Sequence, residues 1–139
     1  MSEYNFYHPI EVRYGDLDPQ GHVNNAKYLT YFEHARTFYL IHLGLFEKGQ
    51  SFLDIGIIMA DVKPTFKAPI LWENQVKVGS RFKKLGNKSM VIEQAIIDSQ
   101  NGKCYASGEI VLVAYDYHSG ATVMIPDAWR QIINKFEGL

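Results

Sequence analysis

At 139 residues, 47% of them hydrophobic and 21% charged, the chain has the size and apolar content of one globular domain, able to bury roughly two-thirds of its unfolded surface and too apolar to stay disordered. Fourteen basic against fifteen acidic residues leave a net charge of -1, so no global field favours nucleic acid or an anionic membrane surface, and an anionic ligand has to be held by a local patch. A single cysteine, Cys104, excludes an internal disulfide and a multi-cysteine zinc site, which suits a reducing compartment.

The first residues, Met1-Ser2-Glu3-Tyr4-Asn5, lack the basic and apolar regions of a secretion signal, and no stretch approaches the ~18 apolar residues of a membrane span. The expectation is a cytoplasmic protein with neither membrane nor nucleic acid as partner. Residues 6–14 alternate loosely through Tyr7, Ile10, Val12 and Tyr14 and read as a first strand before a Gly/Asp/Pro-rich loop at 15–21.

Residues 25–43 contain no Gly or Pro and stop at Gly44, which predicts a helix with Asn24 or Asn25 as its N-cap. Leu29, Phe32, Arg36, Leu40 and Leu43 follow helical spacing, and Thr30, Glu33, His34 and Thr37 form a second, polar stripe. So little polar surface predicts a largely enclosed helix.

Strands are expected at about 57–67, 72–84, 88–99 and 103–115, separated by Ala68-Pro69, Leu85-Gly86-Asn87-Lys88 and Asn101-Gly102. Cys104 falls in the last of them and reads as a core thiol, and Met59 and Met90 read as packing residues. Pro126, Asp127 and the apolar positions Trp129, Ile132, Ile133 and Phe136 predict a short closing helix. The order predicts one α+β domain over residues 1–139, an antiparallel sheet buried against a single long helix. Its strand edges predict self-association.

Chemistry concentrates in the loop. Asp18 precedes a proline, which pushes its backbone out of the α region, and Gly21 permits a tight turn just before the helix begins. A carboxylate is thereby placed beside free backbone N–H groups at the positive end of a helix. Acyl-transfer chemistry needs that pair: a nucleophile or base, and a site for developing negative charge. Taken alone, the same pattern also describes an ordinary capping loop.

The run Tyr14-Gly15-Asp16-Leu17-Asp18-Pro19-Gln20-Gly21-His22-Val23-Asn24-Asn25-Ala26-Lys27-Tyr28, followed by Tyr31-Phe32-Glu33-His34-Ala35-Arg36, resembles the opening of hot-dog acyl-CoA thioesterases of the 4-hydroxybenzoyl-CoA thioesterase type. The resemblance implies an antiparallel sheet wrapped around a long central helix and hydrolysis of a thioester to free acid and coenzyme A. It implies that Asp18 is the catalytic carboxylate, as nucleophile or as general base, and that the backbone N–H near Asn25 polarises the thioester carbonyl. No metal and no cofactor are implied, coenzyme A being part of the substrate. The segment His22-Val23-Asn24-Asn25 is closer to that of acyl-acyl-carrier-protein thioesterases, which brings acyl carrier protein into play as the alternative carrier.

Further site candidates follow. His22 is a candidate to position water or the carboxylate, against a histidine that only hydrogen-bonds the loop, and Glu33 matches a family glutamate and is a second carboxylate candidate, against a plain i, i+3 pair with Arg36. Asp16 reads as a solvated or loop-capping carboxylate. Gly21, Asn24 and Tyr28 are candidate substrate contacts, with Tyr28, Tyr31 and Phe32 beside an acyl tunnel. Arg81, Lys83, Lys84 and Lys88 gather at one strand end and are the candidate grip on coenzyme A phosphates, against a plain solvated hairpin. The competing expectations are a hot-dog dehydratase, which needs a histidine in another sequence setting, and a non-catalytic acyl-thioester binding protein. The expected assembly is a homodimer or homotetramer.

Overall fold

The computed structural model describes residues 3–139. Chain order is β1 (Tyr7–Ile10), a 3-10 turn (Tyr14–Asp16), α1 (Asn25–Leu43), a four-residue α2 (Phe52–Ile55), β2 (Ile57–Phe66), β3 (Val76–Leu85), β4 (Ser89–Asp98), β5 (Cys104–Asp116), the two-residue β6 (Ala121–Thr122) and α3 (Asp127–Glu137). The strands form one antiparallel sheet in the order β1-β3-β4-β5-β2, with β6 pairing on β5. This is the α+β plan of one sheet curved over one long helix.

Glycine and asparagine fix the ends of α1. Asn24 accepts the Ala26 N–H through its side chain, and Gly44, at φ 81°, takes the left-handed position that ends the helix. The buried face carries Tyr28, Tyr31, Phe32, Ala35, Tyr39, Leu40 and Leu43. The helix is not enclosed all round as its sequence suggests: Leu29, Glu33 and His34 stay exposed, because one sheet covers only one side of a helix.

Two apolar clusters lie under α1. One gathers Val23, Tyr28, Phe32, Ile70, Val78 and Ile96 beneath its first half, and the other gathers Tyr39, Leu43, Phe82, Ile92, Ile110 and, from α3, Ile133 beneath its second. Between them runs a polar seam. Gln94, fully buried on β4, donates to the Phe32 carbonyl at 2.9 Å and to Ser80 Oγ at 2.9 Å, and accepts from Arg36 Nη1 at 3.1 Å. Opposite Gln94 on β5 is Gly108, where a Cβ would sit 3.0 Å from the Phe32 ring. Its missing side chain sets how closely helix and sheet approach.

One strand end and one strand start differ from the sequence pattern. The first strand stops at Ile10 because its partner Val76 is the first residue of β3, so residues 11–14 have no strand to pair with. That partner starts at Val76 and not near 72 because Leu71 and Asn74 close a turn, with Leu71 N–H on Asn74 Oδ1 and Asn74 N–H on the Leu71 carbonyl. Cys104 is not a core thiol. A bulge opposite Ile96 and Ile97 inserts Tyr105 into the register, so Tyr105 turns inward and Cys104 turns to the outer face, half-buried beside Ser107 and Glu109. Met90 is buried as expected, but Met59 is 48% exposed.

Candidate functional site

The segment around Asp18 is a miniature hairpin. Leu17 bridges Val23, the Asp18 N–H donates to the His22 carbonyl at 2.9 Å, and the Gly21 N–H donates to the Asp18 carbonyl at 2.9 Å. Pro19 and Gln20 turn the chain and Gly21, at φ 85°, supplies the left-handed residue that a three-residue hairpin loop requires. The hairpin is held from both sides: the Val23 N–H donates to the Ile70 carbonyl at 2.8 Å, the Asn24 N–H donates to the Asp16 carbonyl at 2.9 Å, and His22 forms a bridge with Leu71.

This frame brings Asp18 and His22 together. Asp18 Oδ1 accepts the Gln20 N–H at 2.9 Å, and Asp18 Oδ2 lies 3.7 Å from His22 Nδ1, with both side chains partly reachable by solvent. The helix begins two residues after the hairpin. Its Ala26 N–H is taken by the Asn24 side chain at 2.9 Å and its Lys27 N–H by the Asn24 carbonyl at 2.8 Å. Among the described residues these caps leave the Asn25 N–H as the first-turn donor open to a ligand. Asn24 is thus the N-cap, and Asn25 presents its backbone.

Asp16 is buried and not solvated. It accepts from the Tyr31 hydroxyl at 2.7 Å and from the Arg13 N–H at 3.1 Å, so it caps the turn and ties it to α1. Burial, then the bond to Asp16, pushes the Tyr31 phenol well above its ordinary range. Tyr28 is a second tie. Its hydroxyl donates to the Ala68 carbonyl at 3.1 Å and accepts the Ile70 N–H at 3.2 Å, while burial raises its pKa. Phe66 meets its ring edge-on at 5.2 Å.

Glu33 lies eight residues beyond Asn25, roughly 12 Å further along the helix axis. It does not pair with Arg36, which turns inward to Gln94 and whose guanidinium pKa burial lowers. Glu33, Arg36 and Thr37 form the polar end of a cavity of about 320 Å³ between α1 and β2, whose other walls include Leu40, Phe46, Ile57, Met59 and Leu112. Asn25, Leu29, Glu33, Arg36 and Leu40 follow one stripe of the helix, so the cavity lies along α1 from the hairpin. Met59, read from sequence as packing, is one of its walls.

The four basic residues do not form one free cluster. Arg81 Nη2 pairs with Glu93 at 2.7 Å, and Lys83 reaches Glu109 at 3.3 Å and Glu93 at 3.9 Å. Lys88 donates to Thr122 Oγ1 at 3.4 Å, and Lys84 is exposed. They lie toward the β3–β4 turn, whereas Val76 at the other end of β3 pairs with Ile10 near the loop. Lys84 lies eight residue steps along the strand from Val76, or roughly 26 Å.

Sequence reading missed the Gln94 seam and one surface feature. Tyr14, 74% exposed, and Trp72, 54% exposed, meet at a ring separation of 5.5 Å on the flank of the hairpin. Only the abundance of aromatic residues hinted at the pair, since the two come from loops distant in sequence. Among the described residues no group of three or more His, Cys, Asp or Glu is arranged to hold a metal ion, and no helix is long and apolar enough to cross a membrane.

A family model described as the thioesterase-like superfamily matches residues 12–133. The chain is 28% identical over 122 residues to the long-chain acyl-CoA thioesterase FadM of Escherichia coli, covering 88% of this chain and 92% of that protein. It is 23% identical over 111 residues to the acyl-CoA thioester hydrolase YbgC of Escherichia coli, covering 80% and 82%. A thioesterase from Thermus thermophilus, solved with coenzyme A and zinc, superposes with a TM-score of 0.86 at 32% identity over 100% of this chain and 99% of that one. A predicted thioesterase from Bacillus stearothermophilus gives 0.84 at 25% identity over 95% and 96%.

Proposed function

The chain belongs to the thioesterase-like superfamily, and from that premise we propose that it hydrolyses acyl-CoA thioesters with Asp18 as the catalytic carboxylate. The observation that carries this reading is the hairpin, which sets the Asp18 carboxylate beside His22 and ahead of the open Asn25 N–H. In the proposed reaction the Asn25 N–H receives the carbonyl oxygen as negative charge develops on it. Asp18 either attacks the carbonyl carbon, forming an anhydride that water then opens, or takes a proton from the attacking water. In both routes the carbon–sulfur bond breaks, coenzyme A leaves as the thiol and the acyl group leaves as the acid. His22 orients the carboxylate or the water.

The cavity along α1 takes the acyl chain, with Leu40, Phe46 and Met59 as its apolar wall. Acyl-CoA is preferred over acyl carrier protein because two curated relatives are named for acyl-CoA. The 4-hydroxybenzoyl-CoA and acyl-carrier-protein types remain the finer alternatives that a substrate panel separates. The basic residues near the β3–β4 turn serve phosphate binding only across a subunit boundary, given their distance from the same chain's hairpin. We further propose a homodimer formed through β2, in the cytoplasm.

The test is Asp18→Asn, assayed by thiol release in a single turnover. The amide keeps the carboxylate's size but neither accepts a proton at neutral pH nor attacks efficiently, so kcat falls about 100- to 10,000-fold while melting temperature and substrate binding stay near wild type. Near-normal kcat in the folded variant would overturn the assignment.

A further inference from the structure

We propose that Trp72, with Tyr14 against it, is the seat of the adenine ring of coenzyme A. The inference rests on the thioester-hydrolase reading and adds where the nucleotide end of the carrier is held.

Trp72 follows Leu71, whose backbone is bridged to His22, and Tyr14 opens the turn that leads into Asp16 and Asp18. The two rings therefore stand on the loops that frame the candidate catalytic hairpin. An indole and a phenol that packed only for stability would bury most of their surface, yet these remain 54% and 74% exposed. Their planes meet at 61°. In such an edge-to-face contact, whichever ring presents its edge, at least one indole face is left clear by its neighbour.

Trp72 also walls an open cavity of about 520 Å³ whose polar groups come from Glu11, Glu73, Asn74, Gln75 and Ser99. Among the described residues no cation lines it, and its two carboxylates repel phosphate, so the adenine base alone enters it and the ribose phosphate and diphosphate of coenzyme A stay outside in solvent. A flat ring bearing a hydrogen-bond donor fits this chemistry: the exocyclic amine of adenine donates to carboxylate, amide or hydroxyl oxygens, and its face stacks on the indole. The acyl cavity lies elsewhere, between α1 and β2, so acyl chain and nucleotide leave the thioester on different sides. Trp72 and the hairpin stand on adjoining loops, and the bound coenzyme folds back on itself.

The experiment compares one acyl group presented on coenzyme A and on pantetheine, which lacks the nucleotide. Trp72→Ala should raise KM for acyl-CoA by about 5- to 150-fold, the range of base–aromatic stacking, with kcat kept and the kinetics of acyl-pantetheine unchanged. Trp72→Phe, which retains a stacking face, should recover most of the loss. Equal changes for both substrates would place the acyl or pantetheine portion on Trp72 and overturn the inference, and so would no change for either, which leaves an ordinary exposed aromatic. Should the wild type hydrolyse neither substrate, the thioesterase reading falls by itself. Binding then decides the inference: in a Trp129→Phe protein, quenching of Trp72 fluorescence by coenzyme A and not by pantetheine supports it, and any other pattern overturns it.

Discussion

Asp16 and Asp18 stand two residues apart and have opposite surroundings. Asp16 is buried with its Oδ2 held by Tyr31 and Arg13, whereas Asp18 keeps one oxygen toward His22 at a distance too long for a direct hydrogen bond. Asp16→Ala should therefore act on stability: it strands the Tyr31 hydroxyl and costs about 1–3 kcal/mol in chemical denaturation, while Asp18→Asn acts on kcat. His8 on β1 gives a pH dependence. Its ring stacks on Phe38 at 4.2 Å and lies 5.2 Å from His34, and burial, then His34, lowers its pKa from 6.5. As pH falls below 6.5 the unfolded chain takes up this proton first, so the stability present in full above 6.5 declines until the folded imidazole also titrates. Melting temperature should fall between pH 7 and pH 5, and His8→Phe should flatten that fall; an unchanged slope would remove His8 from the account.

At the scale of elements, the join between α1 and the sheet is set by one amide and one missing side chain. Gly108→Val would drive methyl groups into the Phe32 ring, which stands 3.0 Å from where the Cβ alone would sit, and should cost about 1–3 kcal/mol as an overpacked core. Urea titration of the purified variant checks it. The long helix, the four main strands, the closing helix and the loop at 15–21 with its tight turn at Gly21 were legible in the sequence, because glycine and proline punctuate them and local periodicity writes their type; that the loop is a hairpin was not. Other features depended on contacts made only after folding. The alternation of β4 puts Gln94 on the inward face of Met90, Ile92 and Ile96, but it gives no sign of the Phe32 carbonyl that the side chain reaches, and nothing before Cys104 announces the bulge that turns it outward. The basic residues are close in sequence, but Glu93 and Glu109, which engage Arg81 and Lys83, come from other strands. Trp72 and Tyr14 meet because separate loops return to the same flank of the hairpin.

For the whole molecule, the sheet ends at β2, ten residues long with Ile58, Met59 and Phe66 exposed. A long apolar edge invites pairing with another strand, and the proposed homodimer supplies one. Sedimentation at micromolar concentration should give a dimer, and Ile58→Lys, which charges the edge, should shift it toward monomer; a wild-type monomer would dismiss the pairing. Cys104 turns the same question into a spectroscopic one. It is the chain's single cysteine, half-buried on the outer face of the sheet. One maleimide or nitroxide reagent therefore marks every copy at one defined place without any engineered substitution. In an assembly of identical chains each label has its twin, and the interval between twins, read by dipolar coupling, is a ruler for how the protomers meet.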